Sequence, residues 1–121
     1  MDTDDELTRR IIGCAIGISR VLGCGFLESV YENALAHDLR KNGIPVDAQR
    51  PFTVFYDGVA VGLYRADLVV GEHVIVEVKA IKALDSSHQA QLLNYLKASD
   101  LHVGLILNFG TPRLDIKRMV R

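Results

Sequence analysis

The sequence predicts an α+β fold, in the order helix, helix, three strands, helix and one or two strands, as one domain over residues 1–121. Three observations carry this. Two N-terminal segments repeat apolar residues at spacings of three and four, the period of a helix face. Asp57-Gly58 joins two runs rich in β-branched and aromatic residues, the signature of a type I′ hairpin. Val103-Gly104-Leu105-Ile106-Leu107 is almost unbroken apolar sequence, which suits a strand buried on both faces.

The first helix is expected over about Asp4 to Leu22, with Leu7, Ile11, Ala15, Ile18 and Leu22 on its apolar stripe. Gly13 and Gly17 weaken it by roughly 1 kcal/mol each relative to alanine; small residues there would admit a closely packed neighbour. Gly23-Cys24-Gly25 ends the pattern. A second helix follows from about Leu27 to Lys41, stopped by Asn42-Gly43. Pro45 and Pro51 flank an extended stretch, and Phe52 to Tyr56 reads as a strand. The return strand runs from Val59 to Val70, Gly71-Glu72 turns the chain, and His73 to Ala80 is the third strand. A third helix fits about Ser86 to Ala98, capped by Ser86 or Ser87. His102 to Asn108 is the next strand, and Leu114 to Val120 adds an edge strand.

Composition narrows the class. Hydrophobic residues make up 49% of 121 residues, enough for a packed core. No run of about 18 apolar residues is present, so no membrane span is expected. The acidic start, Met1-Asp2-Thr3-Asp4-Asp5-Glu6, is unlike a secretory or transit signal, and two cysteines make no disulfide or zinc framework. A cytoplasmic protein is expected. The net charge of −1 gives no strong basic field, so a nucleic-acid ligand would need a local patch. Arg113, Lys117, Arg118 and Arg121 supply the best candidate.

The chemistry concentrates at Asp67 and at Glu77-Val78-Lys79. Residues i and i+2 of a strand share a face, so Glu77 and Lys79 point the same way. These charges interrupt runs of Val, Ile and Leu, where an uncompensated charge is costly. Two carboxylates and a lysine at one sheet edge suit a divalent cation that cleaves phosphodiesters. There is a geometric condition. A two-residue turn would pair Val70 with His73 and set Asp67 and Glu77 on opposite faces. A three-residue loop, Gly71 to His73, pairs Val70 with Val74 and Asp67 with Glu77; a bulge would also correct the register.

The element order and these residues resemble the PD-(D/E)XK nuclease superfamily, whose restriction-endonuclease-like core is a mixed central sheet in α-β-β-β-α-β order. Asp67 matches the motif's acid and Glu77-Val78-Lys79 its second half, with Ala66 in place of proline. The extra N-terminal helix precedes that core. Gly25-Phe26-Leu27-Glu28-Ser29-Val30-Tyr31 further resembles the GxxExxY family, as do residues 88–96 and 103–110. The resemblance implies a Mg²⁺- or Mn²⁺-dependent nuclease, with DNA favoured over RNA and a homodimer plausible. It implies metal ligation by Asp67, Glu77, the Val78 carbonyl and Glu28, and catalytic roles for Lys79 and Gln91. Lys79 would orient or deprotonate water or, as is favoured beside two carboxylates, stabilise transition-state charge. Tyr95, His88, Arg113, Lys117 and Arg118 are candidates for contacting nucleic acid, and Tyr31 for holding a carboxylate.

Two rivals stand beside this. One is a catalytically silent module that binds nucleic acid or protein on the same fold. The other is a hydrolase of small phosphate esters, which would show a deep closed pocket rather than an open groove.

Overall fold

The computed structural model describes residues 3–121; Met1 and Asp2, the first residues of the acidic start, lie outside the described residues. Its elements are α1 (Thr3–Leu22), α2 (Glu28–Lys41), β1 (Val46–Tyr56), β2 (Val59–Val70), β3 (Val74–Lys79), α3 (Ser86–Ser99), β4 (Val103–Asn108) and β5 (Asp115–Val120). The five strands form one sheet in the order β1-β2-β3-β4-β5. Pairs are antiparallel except β3–β4, which is parallel because α3 carries the chain back across the sheet. The architecture is the mixed-sheet α+β class that the sequence predicts.

Helices cover both faces of the sheet. On one side Ile11, Ala15 and Ile18 of α1 and Tyr31, Leu35 and Leu39 of α2 pack on Val74, Val76 and Val78 and on Leu105 and Leu107. On the other, Leu92 and Leu96 of α3 pack on Val69, Ile75 and Ile106. All six residues of β4 are buried, as its unbroken apolar sequence requires.

Several boundaries differ from expectation for identifiable reasons. β1 begins six residues earlier than Phe52 and runs through Pro51, which an edge strand tolerates because its outer N–H has no ladder partner. Asp85, not Ser86 or Ser87, caps α3: its side chain accepts the Ser87 amide at 2.8 Å. Gly13 and Gly17 admit no close neighbour; nothing lies within 4 Å of where a Cβ would stand. Asp57 and Gly58 both have positive φ, as a type I′ turn demands.

The β2–β3 connection is the three-residue loop. Val70 pairs with Val74, Val69 with Ile75 and Leu68 with Val76, so Asp67 and Glu77 come next in line. Gly71 and Glu72 both adopt left-handed φ to make this turn.

Candidate metal and phosphodiester site

Regular pairing between β2 and β3 stops at Leu68 and Val76. Beyond that point two side chains bridge the strands in place of the backbone. The Asp67 amide donates to Glu77 Oε2 at 3.0 Å, and the Val78 amide donates to Asp67 Oδ2 at 2.8 Å. The carboxylates thus clasp opposite strands, each satisfying an N–H that the diverging ladder leaves unpaired.

The alternation of β2 changes at the same place. Tyr64 and Ala66 pack on the α3 side, whereas Leu68 and Val70, of the same parity, pack on the α1/α2 side. Across the β1–β2 ladder from Asp67 lies Gln49, which takes a φ of 55°. Its side chain donates to both Glu32 oxygens at 3.0 and 3.1 Å and stands 3.5 Å from Asp67 Oδ1.

Glu77 is 8% exposed. Tyr64 donates its hydroxyl to Glu77 Oε1 at 3.1 Å, and its ring stacks on Tyr95 with centroids 3.4 Å apart. Burial first, and the neighbouring Asp67 charge second, push the Glu77 carboxyl up to about 8. Burial and the Glu77 charge likewise raise the Tyr64 phenol, which therefore stays a donor. Glu32 is raised as well, by burial, with Asp67 and Glu28 adding to it.

Lys79 ends β3 on the same face as Glu77. Among the described residues its amine makes no hydrogen bond or ion pair, and its charge acts on Glu77 through space. Glu28, at the start of α2, reaches this edge: the Ala80 amide points at its Oε2 from 3.4 Å. Asn108 fixes the strand ends. It pairs with Lys79 across the β3–β4 ladder, and its buried side chain bonds the Ile81 amide, the Ile81 carbonyl and the Gly110 amide, each at 3.0 Å. Gly110 is obligatory there, because a Cβ would meet the Ile81 carbonyl oxygen at 2.2 Å.

The structure therefore brings Asp67, Glu77, Lys79 and Glu28 to one edge. The Val78 amide faces Asp67, and a strand residue's C=O points to the same side as its N–H, so the Val78 carbonyl looks into the same cleft. Gln91 lies on α3 one turn before Tyr95, whose ring stacks on Tyr64. His88 serves its own helix: its Nδ1 accepts the Asp85 amide at 3.1 Å. Tyr31 donates to the Gly23 carbonyl at 2.7 Å and accepts the Phe26 amide, so it holds the α1–α2 loop rather than a carboxylate. Arg118 pairs with Asp5 at 2.6 Å on the α1 side, away from the acidic edge. Lys117 stands two strands from Glu77 in the same row, beside Asp115. Arg113 follows β4 and lines a groove with Ser19 and Arg20.

Glu32, Gln49, Tyr64 and Asn108 were not singled out by sequence. One signal was available: Glu32 lies four residues after Glu28 on the same helix face. A groove beside Glu32 is lined by His37, Arg40 and Lys41, a second basic flank.

Hard carboxylate oxygens are the donors that Mg²⁺ and Mn²⁺ take. Among the described residues, no three His, Cys, Asp or Glu side chains are gathered into a ready cation shell. The donor chemistry nevertheless fits a cation: two adjacent carboxylates, one buried and pushed toward its neutral form, lack any contacting positive charge.

A mixed five-stranded sheet with a D…ExK edge defines the restriction-endonuclease-like class. The chain belongs to the PD-(D/E)XK nuclease superfamily, whose family model matches residues 5–119. No curated protein matches the sequence. A solved structure, the crystal structure of SSO0001, superposes with a TM-score of 0.60 at 16% identity, over 78% of this chain and 50% of that one. The likeness extends to the fold, and this chain spans half the length of that protein. Among the described residues no helix is long and apolar enough to cross a membrane.

Proposed function

We propose that this protein is a divalent-metal-dependent phosphodiester hydrolase, a cytoplasmic nuclease of the GxxExxY group that acts on DNA in preference to RNA. The observation that carries the reading is the buried Glu77 carboxylate beside Asp67, with the unpaired Lys79 amine on the same strand face.

Asp67 and Glu77 would hold Mg²⁺ or Mn²⁺, with the Val78 carbonyl in the same cleft and Glu28 at its rim. A bound divalent ion supplies Lewis acidity to a phosphoryl oxygen and acidifies water. Lys79 supplies a fixed positive charge where negative charge develops on the phosphorus oxygens. Tyr64 orients Glu77 through its hydroxyl, and the stacked Tyr95 restrains Tyr64. The groove of His37, Arg40 and Lys41 offers a backbone-binding flank, where contacts to phosphate weaken steeply with salt.

One observation favours a second reading, a catalytically silent binding module: Asp67 and Glu77 each satisfy a backbone amide and so have a structural use. Calorimetric titration of Mg²⁺ and Mn²⁺ into wild type and Glu77→Ala, with cleavage of a mixed DNA panel, separates the two. Metal binding lost in the variant, with metal-dependent cuts by wild type alone, supports the nuclease. Absence of binding and of cleavage on every substrate assigns the binding module.

A further inference from the structure

Both strands of the β1–β2 ladder change faces at one step. Ala48 and Leu68, which pair, line the groove against α2. Ala66, paired with Arg50, and Phe52 with Tyr64 beyond them lie on the α3 side, where the Arg50 guanidinium covers the Phe52 ring from 5.4 Å. Gln49 and Asp67 are the residues between, and Gln49 takes a φ of 55° there. Its carbonyl accepts the Arg65 guanidinium at 3.4 Å. Left-handed backbone is uncommon outside glycine, asparagine and aspartate, and glycine would hold this bend without a Cβ penalty. What glutamine adds over glycine is its side-chain amide.

That amide stands between two acids. Its Nε2 donates to both Glu32 oxygens at 3.0 and 3.1 Å and lies 3.5 Å from Asp67 Oδ1. An amide NH2 carries two hydrogens, so one shared by the Glu32 carboxylate leaves the other for Asp67. Asp67 Oδ2 meanwhile accepts the Val78 amide at 2.8 Å. The Asp67 carboxylate is thus held from both strands that flank β2, by Gln49 of β1 and by Val78 of β3. The amide is neutral and its contact with Oδ1 is long, so Oδ1 keeps lone pairs for a cation.

We propose that Gln49, anchored by Glu32, is a positioning residue that sets the Asp67 carboxylate for the divalent cation. The assignment rests on the metal-dependent reading above. Glu32 then acts through Gln49 rather than by touching the ion. Partners of this kind, bonded behind a metal ligand, carry about 10–100-fold in metal affinity.

Calorimetric titration of Mn²⁺ alone into the full-length chain tests this. Gln49→Gly keeps the bend and removes the amide. Gln49→Asn also tolerates left-handed backbone, but its amide falls one methylene short. Each is expected to weaken Mn²⁺ binding by about 10–100-fold, with an unchanged circular dichroism spectrum. The Mn²⁺ concentration for half-maximal DNA cleavage rises in step, while the rate at saturating Mn²⁺ is retained. Glu32→Ala weakens binding alike, and combining it with Gln49→Gly loses no more than either change alone. A wild type that binds no Mn²⁺ removes the metal reading and this assignment with it. A wild type that binds, with both Gln49 variants binding as tightly, overturns the assignment alone. So does a double variant that falls further than either single one, which makes Glu32 a ligand in its own right.

Discussion

Glu77→Gln should make the metal-free protein more stable at alkaline pH and flatten its response to pH. Burial and the Asp67 charge raise the folded-state carboxyl from its ordinary 4.5 to about 8. Between those values the folded chain keeps a proton that the unfolded chain gives up. Glu77 therefore contributes stability that is fully present below pH 4.5 and is lost as pH rises through about 8. The span corresponds to at most about 5 kcal/mol, and relaxation around the charge reduces what is realised. Against a typical total of about 5–15 kcal/mol, that is large. Glutamine keeps the volume and an acceptor but cannot ionise. Urea unfolding of both proteins in EDTA, from pH 5 to pH 9.5 (about the window in which the carboxyl titrates), measures the difference directly. The variant should gain on wild type steadily as pH rises, by about 2–5 kcal/mol across the range. A difference that stays constant with pH would refute the argument, since the carboxyl would then titrate alike in both states.

Other substitutions separate holding from acting. Lys79→Ala should leave unfolding free energy within about 0.5 kcal/mol of wild type, and should lower metal-dependent DNA cleavage at least about 100-fold, read in one assay pair. Tyr64→Phe removes the hydroxyl from Glu77 and should cost about 1 kcal/mol by urea titration. Asn108→Ala strips partners from two amides and a carbonyl and should cost about 2–4 kcal/mol, seen as a lower urea midpoint. Gly110→Ala forces a methyl into the Ile81 carbonyl, and thermal melts should show a loss of at least about 2 kcal/mol.

Sequence and structure agree where local chemistry determines the outcome. The apolar period of α1 and α2, the Asp57-Gly58 turn and the buried run of β4 each follow from neighbouring residues. The register that aligns Asp67 with Glu77 was legible as a condition, because a two-residue turn fails and either a three-residue loop or a bulge is needed to put both acids on one face; the structure has the loop. The partners that complete the edge were not. Gln49 is joined to Asp67 across a ladder that bends at a left-handed residue, and Tyr64 reaches Glu77 only because β2 changes faces at Asp67. Asn108 looks like any residue at a strand end until the loop after β3 folds over it. The basic C-terminal residues formed a cluster in sequence, but strand alternation sends Arg118 and Lys117 to opposite faces.

The clasp between β2 and β3 changes how the acids of this chain should be weighed. A carboxylate kept for chemistry can be lost when the chemistry is no longer needed. Here the loss of either one would also leave a backbone amide without its partner at the seam of the sheet. Selection for folding alone would preserve the acidic pair in a descendant that had ceased to cut anything. Lys79 carries no such second duty, since its amine bonds nothing among the described residues. In relatives built on this seam, a lineage that abandons hydrolysis should let the lysine drift first and the two acids last.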